Sequence, residues 1–104
     1  MAKEIGSAEF DAEVLGEKTL PVLVDFWAPW CGPCRSQGPI IDQFSKQNDG
    51  KIKVFKVNVD ESGDIAARYG IMSIPTLLVF RGGEIANKAV GLQNINALKN
   101  LTGI

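Results

Sequence analysis

A chain of 104 residues, 45% hydrophobic and 22% charged, suits one domain over 1–104 whose core holds without staples. Eleven basic and twelve acidic side chains, spread without blocks, leave a net charge of -1, so no basic stripe is present to neutralise a phosphate backbone and nucleic acid is not an expected partner. No apolar run reaches membrane-spanning length and Met1-Ala2-Lys3-Glu4-Ile5 lacks the layout of a secretory signal, which predicts a soluble, cytoplasmic protein without a membrane partner.

A short strand is expected before Ser7, which is placed to N-cap a first helix. Phe10, Val14 and Leu15 fall at i, i+4 and i+5 before Gly16 stops it. The run Pro21-Val22-Leu23-Val24-Asp25-Phe26-Trp27 is apolar almost throughout, which predicts an inner strand covered on both faces. Asp25 is the exception. After Trp30-Cys31-Gly32-Pro33-Cys34 a helix carries Ile40, Ile41 and Phe44 at helical spacing until Asn48 and Gly50, with Pro39 expected to bend it. Residues 51–59 read as extended, and 62–69 as a short helix closed by Gly70. Ile74-Pro75 interrupts before an apolar strand over 77–80. Arg81-Gly82-Gly83-Glu84 supplies a turn, so that 85–90 returns antiparallel as a hairpin. Asn94 starts the last helix, whose Ile95, Leu98 and Leu101 make one core-facing stripe.

The order β-α-β-α-β-α-β-β-α predicts an α/β fold. Its central mixed sheet has about five strands, largely parallel apart from the hairpin on one side, with helices on both faces. In such sheets chemistry gathers beyond the carboxyl ends of inner strands, and the cysteines follow the end of the 22–27 strand.

Cys31 and Cys34 are the only cysteines, in a chain without histidine. Such a pair serves as half of a zinc site, as a crosslink or as a redox couple. Tetrahedral zinc wants four ligands, so two thiolates without imidazole leave only an intermolecular site, and no metal is expected. A crosslink closing four residues removes about 2 kcal/mol of unfolded-chain entropy, against nearly 5 for a loop of about 100. A C-x-x-C beside a βαβ pattern, where thiols are kept reduced, favours the redox couple. At a helix start the unpaired N–H groups and the dipole stabilise the Cys31 thiolate and lower its pKa. An exposed Cys31 is then the expected attacking sulfur. Cys34, three residues on and on the same face, is placed to resolve a mixed disulfide, with Gly32 and Pro33 shaping the turn.

Asp25, a carboxylate within an apolar strand, should have its pKa raised. Two readings stand: a general base for Cys34, directly or through one water, or a structural carboxylate paired with Lys56. Trp30 is placed to shield the thiols and meet partners, whereas Trp27 reads equally well as packing. A proline entering a strand favours a cis bond at Pro75 over a simple edge turn. That geometry frees the Ile74 backbone beside Cys31 to pair with an extended substrate. Gly91 is placed for close backbone approach at the same surface. Together with Ile71 and Met72, these residues form the expected substrate-binding surface.

The run from Asp25 to Cys34, with Asp60, Tyr69-Gly70-Ile71, Ser73-Ile74-Pro75-Thr76-Leu77 and Gly82-Gly83, resembles the thioredoxin family over nearly the whole chain. The resemblance implies the thioredoxin fold and reduction of protein disulfides, with Cys31 as nucleophile, Cys34 as resolving thiol, a cis Pro75, and Asp25 and Lys56 as a buried charged pair. It also implies a monomer with no bound cofactor beyond its redox-active disulfide. Its partners would be disulfide-containing clients and thioredoxin reductase, a flavoprotein that delivers electrons from NADPH. Arg35-Ser36-Gln37-Gly38 stands where the family often has Lys, two apolar residues and Ala, and Met72 where a basic residue is frequent. These departures surround the docking surface. Two rivals share the fold: a glutathione-linked or oxidising relative, disfavoured by Gly32-Pro33, and a binding module that holds a partner without turnover.

Overall fold

Side chains alternate between the two faces of a strand, and along the inner strands this sorting builds two separate cores. The computed structural model describes residues 2–104; Met1, part of the N-terminal run considered above, lies outside them. In chain order it contains β1 (Lys3–Glu4), α1 (Ser7–Phe10) running into a π-helical turn (Asp11–Leu15), β2 (Val22–Trp27), α2 (Gly32–Gln47), β3 (Lys53–Asn58), α3 (Gly63–Arg68), β4 (Thr76–Arg81), β5 (Glu84–Val90) and α4 (Ile95–Thr102). The sheet order is β1-β3-β2-β4-β5, which puts β2 at its centre.

Strands β1, β3 and β2 pair in parallel, whereas β4 runs antiparallel to β2 and β5 antiparallel to β4. The sheet is therefore mixed, as expected, but its parallel share is smaller than the helix-strand alternation suggests. The length of α3 explains the reversal. Six residues of helix span about 9 Å, too little to carry the chain back along a strand of about 20 Å.

One core sets Val22, Val24 and Phe26 of β2 against Phe10 and Val14 of the first helical segment and Ile65 of α3. Phe80 completes it with an edge-to-face contact to Phe10 at 6.0 Å. The other core sets Leu23, Leu77 and Val79 against Ile41 and Phe44 of α2 and Leu98 of α4. Helices thus cover both faces.

The caps differ from expectation at one end of the chain. Gly6, not Ser7, is the N-cap of α1, with extended φ and ψ of -108° and -173°. Ser7 is the first helical residue, and its hydroxyl instead donates to Asp64 of α3. The helix widens at Asp11, where Gly16 N–H reaches back five residues to Asp11 O at 2.8 Å. Helix α2 continues through Pro39 without a break, and Asn48 closes it by donating both its N–H and its Nδ2 to Phe44 O. Asn94 caps α4 as expected, its Oδ1 accepting from Ala97 N–H at 2.9 Å. Among the described residues, no helix is long and apolar enough to cross a membrane.

The β4–β5 turn separates two demands on glycine. Gly82 has φ +62° with open space where a Cβ would stand, whereas Gly83 has φ +83° and its Cβ would lie 2.8 Å from the Leu15 carbonyl oxygen. In urea titrations Gly82→Ala should lower stability by about 1 kcal/mol, the cost of left-handed backbone. Gly83→Ala should cost about 2–3 kcal/mol because backbone must move as well. Equal costs would show that the approach to Leu15 carries no energy.

Candidate active site

The centre of the sheet delivers the chain to a helix start. β2 ends at Trp27, a turn through Ala28-Pro29-Trp30 follows, and Cys31 becomes the N-cap of α2 with φ -88° and ψ 114°. Its sulfur accepts from Cys34 N–H at 3.2 Å, the place an N-cap oxygen usually takes. Pro33 occupies the first turn, where a missing N–H costs no helical bond. Cys31 and Cys34 are joined in a disulfide with their Cα atoms 5.2 Å apart, inside the usual range for such a bond.

The sulfurs are less open than the sequence suggests. Cys31 retains 5% exposure and Cys34 3%, because Trp27, Ala28, Val59 and Ile74 pack around them. Cys31 Sγ lies 3.6 Å from the Ile74 carbonyl oxygen. The Ile74–Pro75 peptide is cis, and Pro75 O accepts from Gly91 N–H at 2.8 Å. Neither backbone group of Ile74 takes part in a backbone hydrogen bond among the described residues.

Around this point Met72 is 95% exposed and Trp30 67%. Trp30 is nonetheless held, its indole N–H donating to Asp60 Oδ2 at 2.9 Å. Asp60 is itself fixed, since Asn58 Oδ1 accepts from its N–H at 2.9 Å. Ile71 is half-buried and packs on the core formed with α1 and α3. Gly91 has φ +92° and open space at its Cβ position, so backbone conformation, rather than close approach, calls for glycine there.

Asp25 shares the α2 side of β2 with Leu23, beneath the helix whose buried stripe begins at Cys34. It is fully buried, and neither carboxylate oxygen has a hydrogen-bond partner among the described residues. Burial is the largest influence on its pKa, pushed up to about 7; the Lys56 charge opposes this, while Glu4 and Asp42 add to it. Lys56 is the register partner of Asp25 across the β2–β3 ladder. The expected close pair does not form: no ion pair joins them among the described residues. The longer lysine stem carries its ammonium over the Trp27 ring, 5.2 Å from the centroid. Trp27 is more than packing, since its indole N–H donates to Glu4 Oε2 at 3.1 Å. Burial raises the pKa of Glu4 as well, against that hydrogen bond and Lys56.

No local sequence signal links Glu4 or Asp42 to Asp25, although both act on its charge. Gln37 appeared only as a departure from apolar residues. Its spacing of three from Cys34 on the buried stripe of α2 was the available signal.

Similarity to known proteins agrees with this geometry. The family model described as Thioredoxin matches residues 1–102. The thioredoxin of Rickettsia felis is 52% identical over 94% of this chain and 92% of its own length. Thioredoxin 1 of a Nostoc species is 52% identical over 86% of this chain and 83% of its own. The chloroplastic M-type thioredoxin of Pisum sativum is 53% identical over 84% of this chain and half of its own length. With a disulfide capping the helix that follows the central strand and a family match across nearly all of its length, the chain belongs to the thioredoxin family of thiol–disulfide oxidoreductases.

Proposed function

We propose that the chain reduces protein disulfides through a two-step exchange in which Cys31 attacks, Cys34 resolves and Asp25 takes the resolving proton. The observation that carries this reading is the Cys31–Cys34 disulfide at the N-terminus of α2, 3.6 Å from Ile74 O. In the reduced protein, the Cys31 thiolate attacks one sulfur of a client disulfide. The client bond breaks, a mixed disulfide forms, and the first client thiolate leaves to take a proton. Cys34, giving its proton to Asp25, then attacks Cys31 Sγ. The mixed disulfide breaks, the second client thiolate leaves, and the bonded form seen here results, with two electrons passed to the client. Gly32 and Pro33 hold the turn that keeps the two sulfurs within reach.

The client strand lies against Trp30, Met72, Ile74 and Gly91, pairing with the free Ile74 backbone. Ile71 supports this loop from the core. Lys56 tunes Asp25 through space rather than by contact. Both sulfurs of the exchange lie in one chain, three residues apart, so the proposed cycle runs in a monomer without a second copy. Electrons return from NADPH through a flavoprotein thioredoxin reductase in the cytoplasm, where a disulfide must be reopened for each turnover.

Cys34→Ser separates exchange from mere binding. The variant should accumulate a covalent complex with client, visible by mass spectrometry and released by dithiothreitol, while insulin reduction falls at least ~100-fold because the intramolecular step is lost. Absence of any covalent complex, with wild type also failing to reduce insulin, would leave partner binding as the function.

Asp25→Asn should slow resolution about 10- to 100-fold at pH 8 and abolish an inflection near pH 7 in the rate of mixed-disulfide resolution. Its stability effect has a definite sign. Asp25 titrates at about 7 in the folded protein, above its ordinary value of 3.8, so between those values the folded state holds a proton that the unfolded state has released. Wild-type stability therefore declines as pH rises from about 4 to about 7. The oxidised variant should exceed wild type by up to about 4 kcal/mol above pH 8, with the gap closing toward pH 4. A gap independent of pH would remove Asp25 from this account.

Insulin should be reduced with dithiothreitol alone and also with NADPH and a bacterial thioredoxin reductase. Activity in the first assay only would retain the sulfur chemistry and reject the proposed electron donor.

A further inference from the structure

Gln37 is a polar side chain with no exposed surface, on the buried stripe of the helix that carries both cysteines. A buried amide is costly unless its donor and acceptor are both satisfied. Here both go to a single residue of another segment: Gln37 Nε2–H donates to Gln93 O at 2.9 Å, and Gln37 Oε1 accepts from Gln93 N–H at 2.7 Å. A side-chain amide thus reads the backbone of the β5–α4 connection as a neighbouring strand would. Gln93 continues the chain of bonds, its Nε2–H donating to Gly91 O at 3.1 Å. Gly91 N–H donates to Pro75 O at 2.8 Å, and the preceding carbonyl, that of Ile74, lies 3.6 Å from Cys31 Sγ. A closed circuit results, running from the redox helix through the 91–93 connection to the cis-proline loop and back to the attacking sulfur.

We propose that Gln37 is a positioning residue that clamps the Gly91–Gln93 side of the client groove to the redox helix, so that protein clients meet a preformed surface. An apolar residue at this position would fill the space and leave Gln93 N–H and C=O without those partners. Asparagine carries the same groups but is one methylene too short to reach both. Preorganisation of a binding surface acts on docking rather than on the intrinsic reactivity of the sulfur, so Gln37 governs recognition of protein substrates and not the exchange step. The inference rests on the groove being the client site, as proposed above.

The test compares Gln37→Met, of similar length and without hydrogen bonds, with Gln37→Asn. Single-turnover mixing of each reduced protein with insulin gives a half-saturation concentration and a limiting rate. Reaction with dithionitrobenzoate reports the sulfur alone, and hydrogen exchange reports individual amides. Both variants should raise half-saturation about 3- to 10-fold with less than twofold change in limiting rate or in the small-disulfide rate. Protection of the Gln93 amide should fall about tenfold or more, while the Leu23 and Val79 amides, as the check on folding, keep theirs. The clamp is overturned if Gln37→Met keeps wild-type half-saturation, or if the small-disulfide rate falls in step with insulin. Trp30→Ala distinguishes the two ways of failing. If it weakens insulin half-saturation where Gln37→Met does not, the clamp alone is wrong; if neither does, the groove is wrong too.

Discussion

The first turn of a helix has backbone N–H groups that no carbonyl of that helix can accept, and in α2 one of them is met by sulfur, Cys31 Sγ taking Cys34 N–H at 3.2 Å. The rest of the site depends on where that turn is held. β2 lies between β3 and β4, with Val22, Leu23, Val24 and Phe26 all fully buried. A one-residue slip would exchange its two packed faces, sending Leu23 toward α1 and Phe26 toward α2. Its carboxyl end is consequently fixed, and with it Cys31. The cis-proline loop arrives at the same point because β4 pairs with β2, Thr76 opposite Phe26. One ladder register therefore sets the distance between the sulfur and the Ile74 backbone.

Asp25 works against this rigidity in energetic terms. A fully buried carboxylate whose oxygens have no protein partner destabilises the folded state whenever it is ionised. Hydrophobic packing on both faces of β2 offsets that cost, and the charge remains close to neutral pH because burial and Lys56 act in opposite directions. Moving Lys56 into contact would favour the ionised carboxylate and lower the pKa of Asp25. With the ammonium over Trp27, burial remains the dominant influence on Asp25 and holds its pKa at about 7.

Local patterning made most of this legible. The central strand, the helix start at the cysteines, the hairpin and the α4 cap each follow from neighbours within a few residues, and each appears where expected. So does the cis bond at Pro75, since a proline entering a strand leaves few geometries. The misreadings arise from partners distant in sequence. Ser7 looked like a cap until Asp64, 57 residues away, claimed its hydroxyl. Lys56 stands beside Asp25 in the ladder, as a parallel pairing predicts, yet the length of its side chain lets Trp27 take the ammonium. Cys31 is expected to be open as the attacking sulfur, but Val59, just past β3, and Ile74, just before β4, close over it. Gln37 finds its partner 56 residues on, and no periodicity encodes that.

Thiolate stabilisation by itself gives only a small kinetic advantage, and thioredoxin is the known example of a C-x-x-C thiol near pKa 7. Lowering a thiol from about 8.5 to about 7 raises its thiolate fraction at pH 7 roughly 15-fold, while a Brønsted slope near 0.45 lowers its nucleophilicity roughly 5-fold. A factor of about three remains. The larger gains come from arrangement: a second sulfur one helical turn away acts at high effective concentration, and the proposed groove of three segments would present the client bond to the first. In the bonded form Cys31 is nearly buried, at 5% exposure, so the attack proposed for it would favour disulfides that dock. On the proposed reading, selectivity resides in hydrogen-bonded loops rather than in the sulfur. The same Cys-Gly-Pro-Cys chemistry can thus serve different clients through changes as distant from the thiols in sequence as Gln93.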